Sequence, residues 1–246
     1  MFTSLILFIF RLFNKLYEKG MIRIYLFFYV IYKFVSDYKD IKKIKSYINE
    51  GSVVIDAGAN IGFYTVLFAK LVGLSGFVFA FEPNEKNFKI LKNRTNKFKN
   101  VKVINAALSD KSGKLDLYIS EELNVDHQTY DSGESRKKVQ IDCFSLDDYC
   151  DLNGIRKVSF VKMDLQGYDA VALRGMEVTI RKNEEICICC EFWPYGMKRA
   201  GVEPEEMLME MQKKSLVSSF QYHGEEEYGF YRTLWFQKNK NEKKSS

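Results

Sequence analysis

The sequence predicts an α/β fold with a mostly parallel β-sheet, and two stretches of the chain carry this prediction. Residues 53–55 are Val-Val-Ile, a run of β-branched residues typical of a strand buried on both faces of a parallel sheet. Gly58 and Gly62 then allow a tight turn into a helix that begins near residue 61. Residues 77–81, Phe-Val-Phe-Ala-Phe, predict the next buried strand. Strand, glycine turn, helix and strand in this order are typical of an open α/β fold.

An acidic residue follows each of these two strands, and the pair predicts the cofactor. Asp56 follows the first strand, and Glu82 follows the second, 20 positions past Gly62. A carboxylate beside a pyrophosphate is repulsive, whereas beside the ammonium and sulfonium groups of S-adenosylmethionine it is attractive by roughly a few kcal/mol. The spacing of Glu82 fits an acid that accepts hydrogen bonds from ribose hydroxyls. We therefore predict S-adenosylmethionine as the cofactor. The candidate cofactor-binding residues are Asp56, Gly58, Asn60, Gly62, Glu82 and Asn105.

Asn105 belongs to this set because it stands at the end of the third predicted strand, residues 101–104. Its side chain either reads the adenine edge or forms a turn.

Further elements follow in an order that alternates strands and helices. Helices are predicted over 61–72, 84–98, 168–181 and 203–214. Further strands are predicted over 158–161, 185–191, 216–222 and 229–237. Between them, residues 115–119 and 139–143 alternate as antiparallel strands do, which predicts an insertion rather than another βα unit. Residues 192–196, Phe-Trp-Pro-Tyr-Gly, are predicted to form a loop.

Length and charge divide the chain into three parts. The 246 residues suffice for one domain of ordinary size with appendages. Residues 1–50 hold nine basic and four acidic residues, which accounts for the whole net charge of +5. We predict an N-terminal helical extension at 1–50, a catalytic domain at 51–238 and a disordered tail at 239–246. Because the catalytic domain is neutral overall, no nucleic-acid partner is expected.

The extension contains two apolar stretches, Leu5–Phe13 and Ile24–Val35. Neither reaches the roughly 20 residues that a helix needs to cross a bilayer. No positive region precedes the first stretch and no small-residue cleavage site follows it, which disfavours a secretory signal. Two interpretations stay open: a pair of helices packed on the catalytic domain, or a basic, aromatic-rich segment within residues 1–35 lying on an anionic membrane surface.

Five cysteines, an odd number without a Cys-x-x-Cys motif, predict a reducing compartment rather than a disulfide framework. The expected location is therefore cytoplasmic, with association at the inner membrane surface as the alternative. Cys187, Cys189 and Cys190 share one predicted strand and are interpreted as buried small hydrophobic residues. No nearby histidine completes a ligand set, so no metal site is predicted.

Five motifs of the chain resemble those of one protein family. They are Val54–Gly62, Phe81–Pro83, Ala106–Asp110, Leu146–Asp148 and Lys162–Gly167. Their order and spacing, over residues 50 to 192, are similar to those of FkbM-type methyltransferases. The resemblance implies a class I methyltransferase fold: a Rossmann-like, seven-stranded, mostly parallel sheet with helices on both faces. It also implies S-adenosylmethionine as donor and O-methylation of a sugar, a glycan or another hydroxylated metabolite.

The candidate catalytic residues are Asp164, His127 and Glu191. Asp164 ends the fourth predicted strand, and His127 lies in a loop positioned to close over it. His127 has the better intrinsic pKa for proton transfer, although a solvated loop histidine is the alternative. Glu191 ends the next strand and is either a base, a ligand of a substrate hydroxyl, or a buried acid satisfied by backbone donors.

Gln166, Trp193 and Tyr195 are the candidate substrate-binding residues. Gln166 stands where the family usually has a glutamate, so an acid–base role is not carried over to it, although it is able to hydrogen-bond a substrate hydroxyl. Trp193 and Tyr195 are suited to stack on a sugar face, and packing against the 203–214 helix is the alternative.

Three other functions are alternatives to O-methyl transfer. An NAD-dependent oxidoreductase is disfavoured by Asp56 and by the missing third glycine of a dinucleotide motif. A nucleobase N-methyltransferase normally has a Pro-Pro-aromatic stretch after the fourth strand, where this chain has Leu165-Gln-Gly167. A non-catalytic protein that binds the cofactor or a membrane is the third possibility.

Overall fold

A seven-stranded sheet organises the protein. The computed structural model describes residues 21–120, 127–131, 136–224 and 230–238. The strands are β1 (Val53–Ala57), β2 (Phe77–Phe81), β3 (Val101–Ile104), β4 (Ala107–Leu108), β5 (Gly113–Ile119), β6 (Lys137–Phe144), β7 (Phe160–Met163), β8 (Cys187–Phe192), β9 (Leu216–Val217) and β10 (Arg232–Lys238). The helices are α1 (Ile22–Ser36), α2 (Tyr38–Tyr47), α3 (Phe63–Leu71), α4 (Glu85–Thr95), α5 (Leu146–Leu152), α6 (Asp169–Arg174), α7 (Glu177–Lys182), α8 (Pro194–Arg199) and α9 (Pro204–Lys213).

The strand order of the sheet is β3-β2-β1-β7-β8-β10-β9. The five strands from β3 to β8 are parallel, and β10 runs antiparallel to both of its neighbours. The predicted seven-stranded, mostly parallel sheet is confirmed. Because β1 lies between β2 and β7, the chain reverses its direction of travel across the sheet at β1, and a crevice opens at the carboxyl ends of these strands.

Alternate residues of the central strands point into two separate cores, one on each face of the sheet. Val54 belongs to the core that includes α1, α2 and α3, whereas its neighbour Ile55 belongs to the core that includes α5, α6 and α9. In β8, Cys187 and Cys189 face the first core and Cys190 faces the second, all of them buried. This burial on both faces explains why the central strands are almost entirely apolar.

The predicted antiparallel insertion is a second, three-stranded sheet of order β4-β6-β5. β5 and β6 pair antiparallel from Gly113–Cys143 to Ile119–Lys137. Its end near Ile119 lies beside the segment that carries His127, because Tyr118 and Gln128 form a bridge.

Three predicted elements differ from the structure. The helix expected over 168–181 is divided into α6 and α7 by Gly175 and Met176. Glycine is required at the break, because a Cβ on residue 175 would lie 2.1 Å from the carbonyl oxygen of Ser109. The loop expected over 192–196 instead begins helix α8, with Pro194 in its first turn, where proline is tolerated. The strand expected over 216–222 is only the two residues of β9.

Helices α1 and α2 of the predicted extension pack on the catalytic domain through Tyr25, Tyr29, Ile41 and Ile44. No helix in the described ranges is long and apolar enough to span a membrane. The stretch Leu5–Phe13 and the predicted tail at 239–246 lie outside the described residues, and the division of the chain at residue 50 stays a prediction.

Gly58 holds the ends of β1 and β7 together. Its φ is +73°, and a Cβ there would lie 2.1 Å from the carbonyl oxygen of Asp164. The amide N–H of Asp164 in turn donates to the carbonyl of Ala57, with an N···O distance of 3.1 Å. Only glycine allows these two backbones to approach so closely.

We expect Gly58→Ala to lower the free energy of unfolding by at least about 2 kcal/mol more than Gly154→Ala, measured by urea denaturation. Gly154 is a matched control because its φ is +65° but a Cβ there would meet nothing within 4 Å. The control therefore carries the cost of left-handed backbone, about 1–2 kcal/mol, without the collision. Equal losses in the two variants would contradict the close approach.

Candidate active site

A cleft of about 280 Å³ opens at the carboxyl ends of β1, β2, β7 and β8. Most of the predicted site residues line it. They are Asp56, Gly58, Asn60, Glu82, His127, Asp164, Gln166 and Glu191. The topology explains this convergence, since parallel strands present their carboxyl ends at one edge of the sheet.

Asp56 is the deepest acid of the cleft, with 1% of its surface exposed. Its Oδ2 accepts a hydrogen bond of 2.6 Å from the hydroxyl of Thr65 in α3. Its Oδ1 is buried and has no hydrogen-bond partner among the described residues. Burial raises the pKa of this carboxyl, against the opposing charge of Lys162. A buried acceptor without a partner is costly, so Oδ1 is suited to receive a cationic or N–H group of a ligand.

Glu82 is fixed by two backbone donors. Its Oε2 accepts from the N–H of Asn60 at 2.7 Å, and its Oε1 accepts from the N–H of Asn84 at 2.9 Å. Burial raises the pKa of Glu82 to about 7, and the two backbone hydrogen bonds oppose that rise. The side chain of Asn87 is a third donor to this carboxyl, and a carboxylate with about four lone-pair positions can still accept a hydroxyl of a ligand.

The glycine turn and Asn105 hold the backbone around Glu82. Asn60 has a φ of +49°, and its Oδ1 accepts from the N–H of Ile61 at 2.7 Å. Gly62, with a φ of +82°, caps the N-terminus of α3. The side-chain amide of Asn105 donates to the carbonyls of Glu82 and Pro83, at 2.9 and 3.1 Å. Asn105 lines a neighbouring groove of about 820 Å³ rather than the cleft, and its reading of adenine stays a prediction.

Asp164 lies between a cation and an amide. The Nζ of Lys162 lies 3.4 Å from its Oδ2, and the Nε2 of Gln166 donates to its Oδ1 at 2.9 Å. Burial acts to raise the pKa of Asp164, but the charges of Lys162 and Lys33 and the hydrogen bonds from Gln166 and Lys162 together outweigh it and hold that pKa below its ordinary value. The same pairing raises the pKa of Lys162, although burial opposes this. Asp164 is therefore ionised at neutral pH.

Lys162 is a site residue that sequence reasoning missed. Only 7% of its surface is exposed, it lines the cleft, and its Nζ lies 4.5 Å from the ring centroid of Tyr64. Its place in the Lys162–Gly167 motif, two residues before Asp164, was the available signal. A lysine inside a buried parallel strand needs a charge partner nearby, and the strand-end acid supplies one.

Asp169 is buried and Glu191 is half-buried, and the two acids differ in their hydrogen bonds. Asp169 accepts from the backbone N–H of Leu165 at 3.0 Å and from that of Glu191 at 3.3 Å, and burial raises its pKa to about 7. The Oε2 of Glu191 is buried and has no hydrogen-bond partner in the described part of the chain. Burial first, and then the charges of Asp164 and Asp169, raise the pKa of Glu191 well above its ordinary value. Backbone donors therefore satisfy Asp169, whereas the Oε2 of Glu191 remains available to a ligand.

His127 lines both the cleft and the neighbouring groove. Its Nδ1 accepts a hydrogen bond of 3.2 Å from the N–H of Ser120. Burial, with the positive charges of Arg136 and Lys86, lowers its pKa to about 4. His127 is therefore neutral at physiological pH, with its proton on Nε2.

Trp193 and Tyr195 are not among the residues that line the cleft. Trp193 is 8% exposed and packs against Gly196, where a Cβ would lie 2.1 Å from its ring. Tyr195 lies beside it, with ring centroids 5.7 Å apart, and its hydroxyl accepts from Arg199 at 2.8 Å. Trp193 lies between β8 and helix α8, Tyr195 lies in that helix, and their stacking on a sugar stays a prediction.

Helix α1 supplies part of the cleft wall, which the sequence did not predict. Tyr29, Tyr32 and Lys33 of this helix line the cleft, together with Tyr64 and Tyr231. Lys33 forms an ion pair with Asp37, which also accepts from the hydroxyl of Tyr64 at 2.6 Å. The four tyrosines give one end of the cleft an aromatic wall next to the carboxylates of Asp164 and Glu191.

The cleft fits S-adenosylmethionine on three observations. The partnerless Oδ1 of Asp56 can accept from an ammonium group, and the Gly58 turn leaves backbone beside it without a side chain. Glu82 has free lone pairs for ribose hydroxyls. These three residues would hold the cofactor.

Comparisons with known proteins give a family and a fold. Residues 56–230 match the model of the Methyltransferase FkbM domain. A proposed rRNA methylase from Clostridium thermocellum has 17% identity and a TM-score of 0.50, over 82% of this chain and 94% of that chain. The FkbM methyltransferase from Methylobacillus flagellatus KT has 16% identity and a TM-score of 0.49, over 76% of this chain and 44% of that chain. No curated protein matches this sequence.

We expect Asp56→Asn to weaken the binding of S-adenosylmethionine at least tenfold, measured by calorimetry. The amide keeps an oxygen for the Thr65 hydroxyl but removes the negative charge at the partnerless position. Asp151→Asn is the control, since Asp151 is an acid with 82% of its side chain exposed. The affinity of this variant for S-adenosylmethionine should change by less than about twofold. Equal affinity of both variants and the unaltered protein would contradict the assignment of Asp56.

Proposed function

The chain belongs to the FkbM methyltransferase family, and we propose that it transfers a methyl group to a hydroxyl oxygen of a sugar, a glycan or a related small metabolite. The family and its donor, S-adenosylmethionine, are confirmed by the match over residues 56–230. The observation that carries the proposed acceptor is the pairing of Asp164 and Glu191 with a wall of tyrosines at one end of the cleft.

The two carboxylates suit a hydroxyl acceptor because they differ in basicity. Asp164, held ionised by Lys162, accepts the hydrogen bond of an acceptor hydroxyl and so orients its oxygen. Glu191 has a free Oε2 and a raised pKa, which makes its ionised form a stronger base than an ordinary carboxylate. We assign removal of the hydroxyl proton to Glu191. The donor supplies an electrophilic methyl group, and positioning of the acceptor contributes the rest of the acceleration.

His127 is assigned a different role from the two acids. With Nδ1 engaged by Ser120 and a pKa of about 4, it is a weak base, but its Nε2–H is a hydrogen-bond donor. We propose that this donor contacts the acceptor at the boundary between the cleft and the groove.

The charges of the cleft favour a small acceptor over a nucleic acid. Asp56, Glu82, Asp164 and Glu191 line it, against the two lysines Lys33 and Lys162. Nucleic-acid binding normally depends on phosphate neutralisation by basic residues, and Lys33 and Lys162 already pair with Asp37 and Asp164. A sugar hydroxyl has no charge to neutralise, and tyrosine rings suit the apolar face of a sugar ring.

The acceptor is tested by incubating the purified protein with methyl-labelled S-adenosylmethionine and three acceptor pools: nucleotide-sugars, envelope polysaccharide and ribosomal RNA. We expect label in a saccharide methyl ether and none in RNA, with Asp56→Asn as the control that reduces transfer. Label in RNA alone would overturn the proposed acceptor. Absence of label from every pool, despite measured cofactor binding, would favour the non-catalytic alternative.

The assignment of the base predicts a pH dependence. Because Glu191 must be ionised to accept a proton and burial raises its pKa, kcat should increase with pH above the range in which an ordinary glutamate titrates. Glu191→Gln should lower kcat at least tenfold and flatten this profile, with cofactor affinity retained. His127→Ala should also lower kcat at least tenfold but leave the shape of the profile unchanged. Unchanged turnover in either variant would remove that residue from the mechanism.

A further inference from the structure

Helix α1 is apolar on both of its faces. Among its 15 residues, Arg23 and Lys33 are the charged ones, and Ser36 is the one serine or threonine. The inner face buries Tyr25 and Tyr29 against the fold. A surface helix of a water-exposed protein normally has one apolar face and one polar face. The outer face of α1 departs from that rule.

The outer face of α1 is a continuous exposed stripe. It consists of residues spaced as neighbouring turns of a helix require: Ile24 (44% exposed), Phe27 (62%), Phe28 (44%), Ile31 (48%) and Val35 (75%). Tyr38, at the start of α2, extends it with 64% of its surface exposed. Scattered apolar residues at a surface are ordinary, but a contiguous stripe of large side chains indicates an interaction surface.

The exposed charged residues beside this stripe are basic. Arg23, Lys39, Lys42 and Lys45 are exposed on α1 and α2. The two acids of the same segment are engaged with the fold: Asp37 with Lys33 and the Tyr64 hydroxyl, and Asp40 with the hydroxyl of Thr233 at 3.0 Å. The segment therefore presents positive charge next to apolar and aromatic side chains.

This combination has the chemistry of an anionic lipid surface rather than that of a second copy. Two copies meeting through α1 would bring their basic residues together, which is repulsive. A helix of 15 residues is about 22 Å long, shorter than the roughly 30 Å hydrocarbon core of a bilayer. Aromatic and aliphatic side chains flanked by Lys and Arg are typical of helices that lie in the plane of a membrane interface.

We propose that the outer face of α1 docks onto an anionic membrane surface. The inner face of the same helix contributes Tyr29, Tyr32 and Lys33 to the cleft. Since a helix with its side chains is about 10 Å across, docking places the mouth of the cleft close to the lipid surface. The docking does not depend on which hydroxyl the enzyme methylates.

Co-sedimentation of the full-length protein with lipid vesicles tests this docking. We expect binding to vesicles that contain about a third phosphatidylglycerol, little binding to pure phosphatidylcholine, and weakening by salt. The double variant Phe27→Glu and Ile31→Glu should lower partitioning at least tenfold. Leu74→Glu is the control, because Leu74 is 90% exposed but lies outside α1, and its partitioning should not change.

A measurement of cofactor affinity and a second double variant complete the test. Cofactor affinity of the double variant should equal that of the unaltered protein, because neither residue lines the cleft. A second pair, Lys42→Glu and Lys45→Glu, leaves the apolar stripe intact and should reduce binding to the anionic vesicles. Unchanged binding in both double variants, or equal binding to the two kinds of vesicle, would overturn the proposal. So would sedimentation equilibrium showing a dimer that the Phe27 and Ile31 changes dissociate.

Discussion

The ion pair between the buried Lys162 and Asp164, whose side chain is 37% exposed, is the interaction on which the site depends. Three further acids, Asp56, Asp169 and Glu191, lie close enough to affect these charges. Lys162, 7% exposed, places one positive charge among them, with Tyr64 stacked over it at 4.5 Å. Removing Asp164 would leave the buried charge of Lys162 without the carboxylate that lies 3.4 Å away, and an unpaired buried charge is destabilising. The acids can therefore converge on one sheet edge only with this lysine in place.

Different environments give the acids of the cleft different chemistry. Glu82 and Asp169 are each held by two backbone N–H groups, which fixes the loops that follow β2 and β7. Asp56 and Glu191 each keep one buried oxygen that has no partner among the residues the structure describes. Asp164 is ionised by its cation. Identical functional groups thus divide into structural, ligand-binding and proton-accepting roles according to what surrounds them.

Helix α1 connects the cleft with the outer surface of the protein. Its inner face packs Tyr25 and Tyr29 on the domain and lines the cleft, and its outer face is apolar and exposed. An extension that completes a binding site would not be expected to behave as a separable appendage. The position of the helix gives a physical reason for one segment to influence both acceptor binding and location.

Three features could be found in the sequence by itself: the apolar runs of the strands, the glycine turn and the acids at the strand ends. These features were enough to predict the fold, the family and the methyl donor. These features are local, since a β-branched run or a glycine with positive φ carries its own signal. Only the tertiary structure decided that α1 lines the cleft, that Lys162 pairs with Asp164, that Asn105 faces the adjoining groove, and that Trp193 and Tyr195 are not among the residues lining the cleft. Those outcomes depend on contacts between elements that are distant in the sequence. Neither hydrophobic periodicity nor residue spacing determines such contacts.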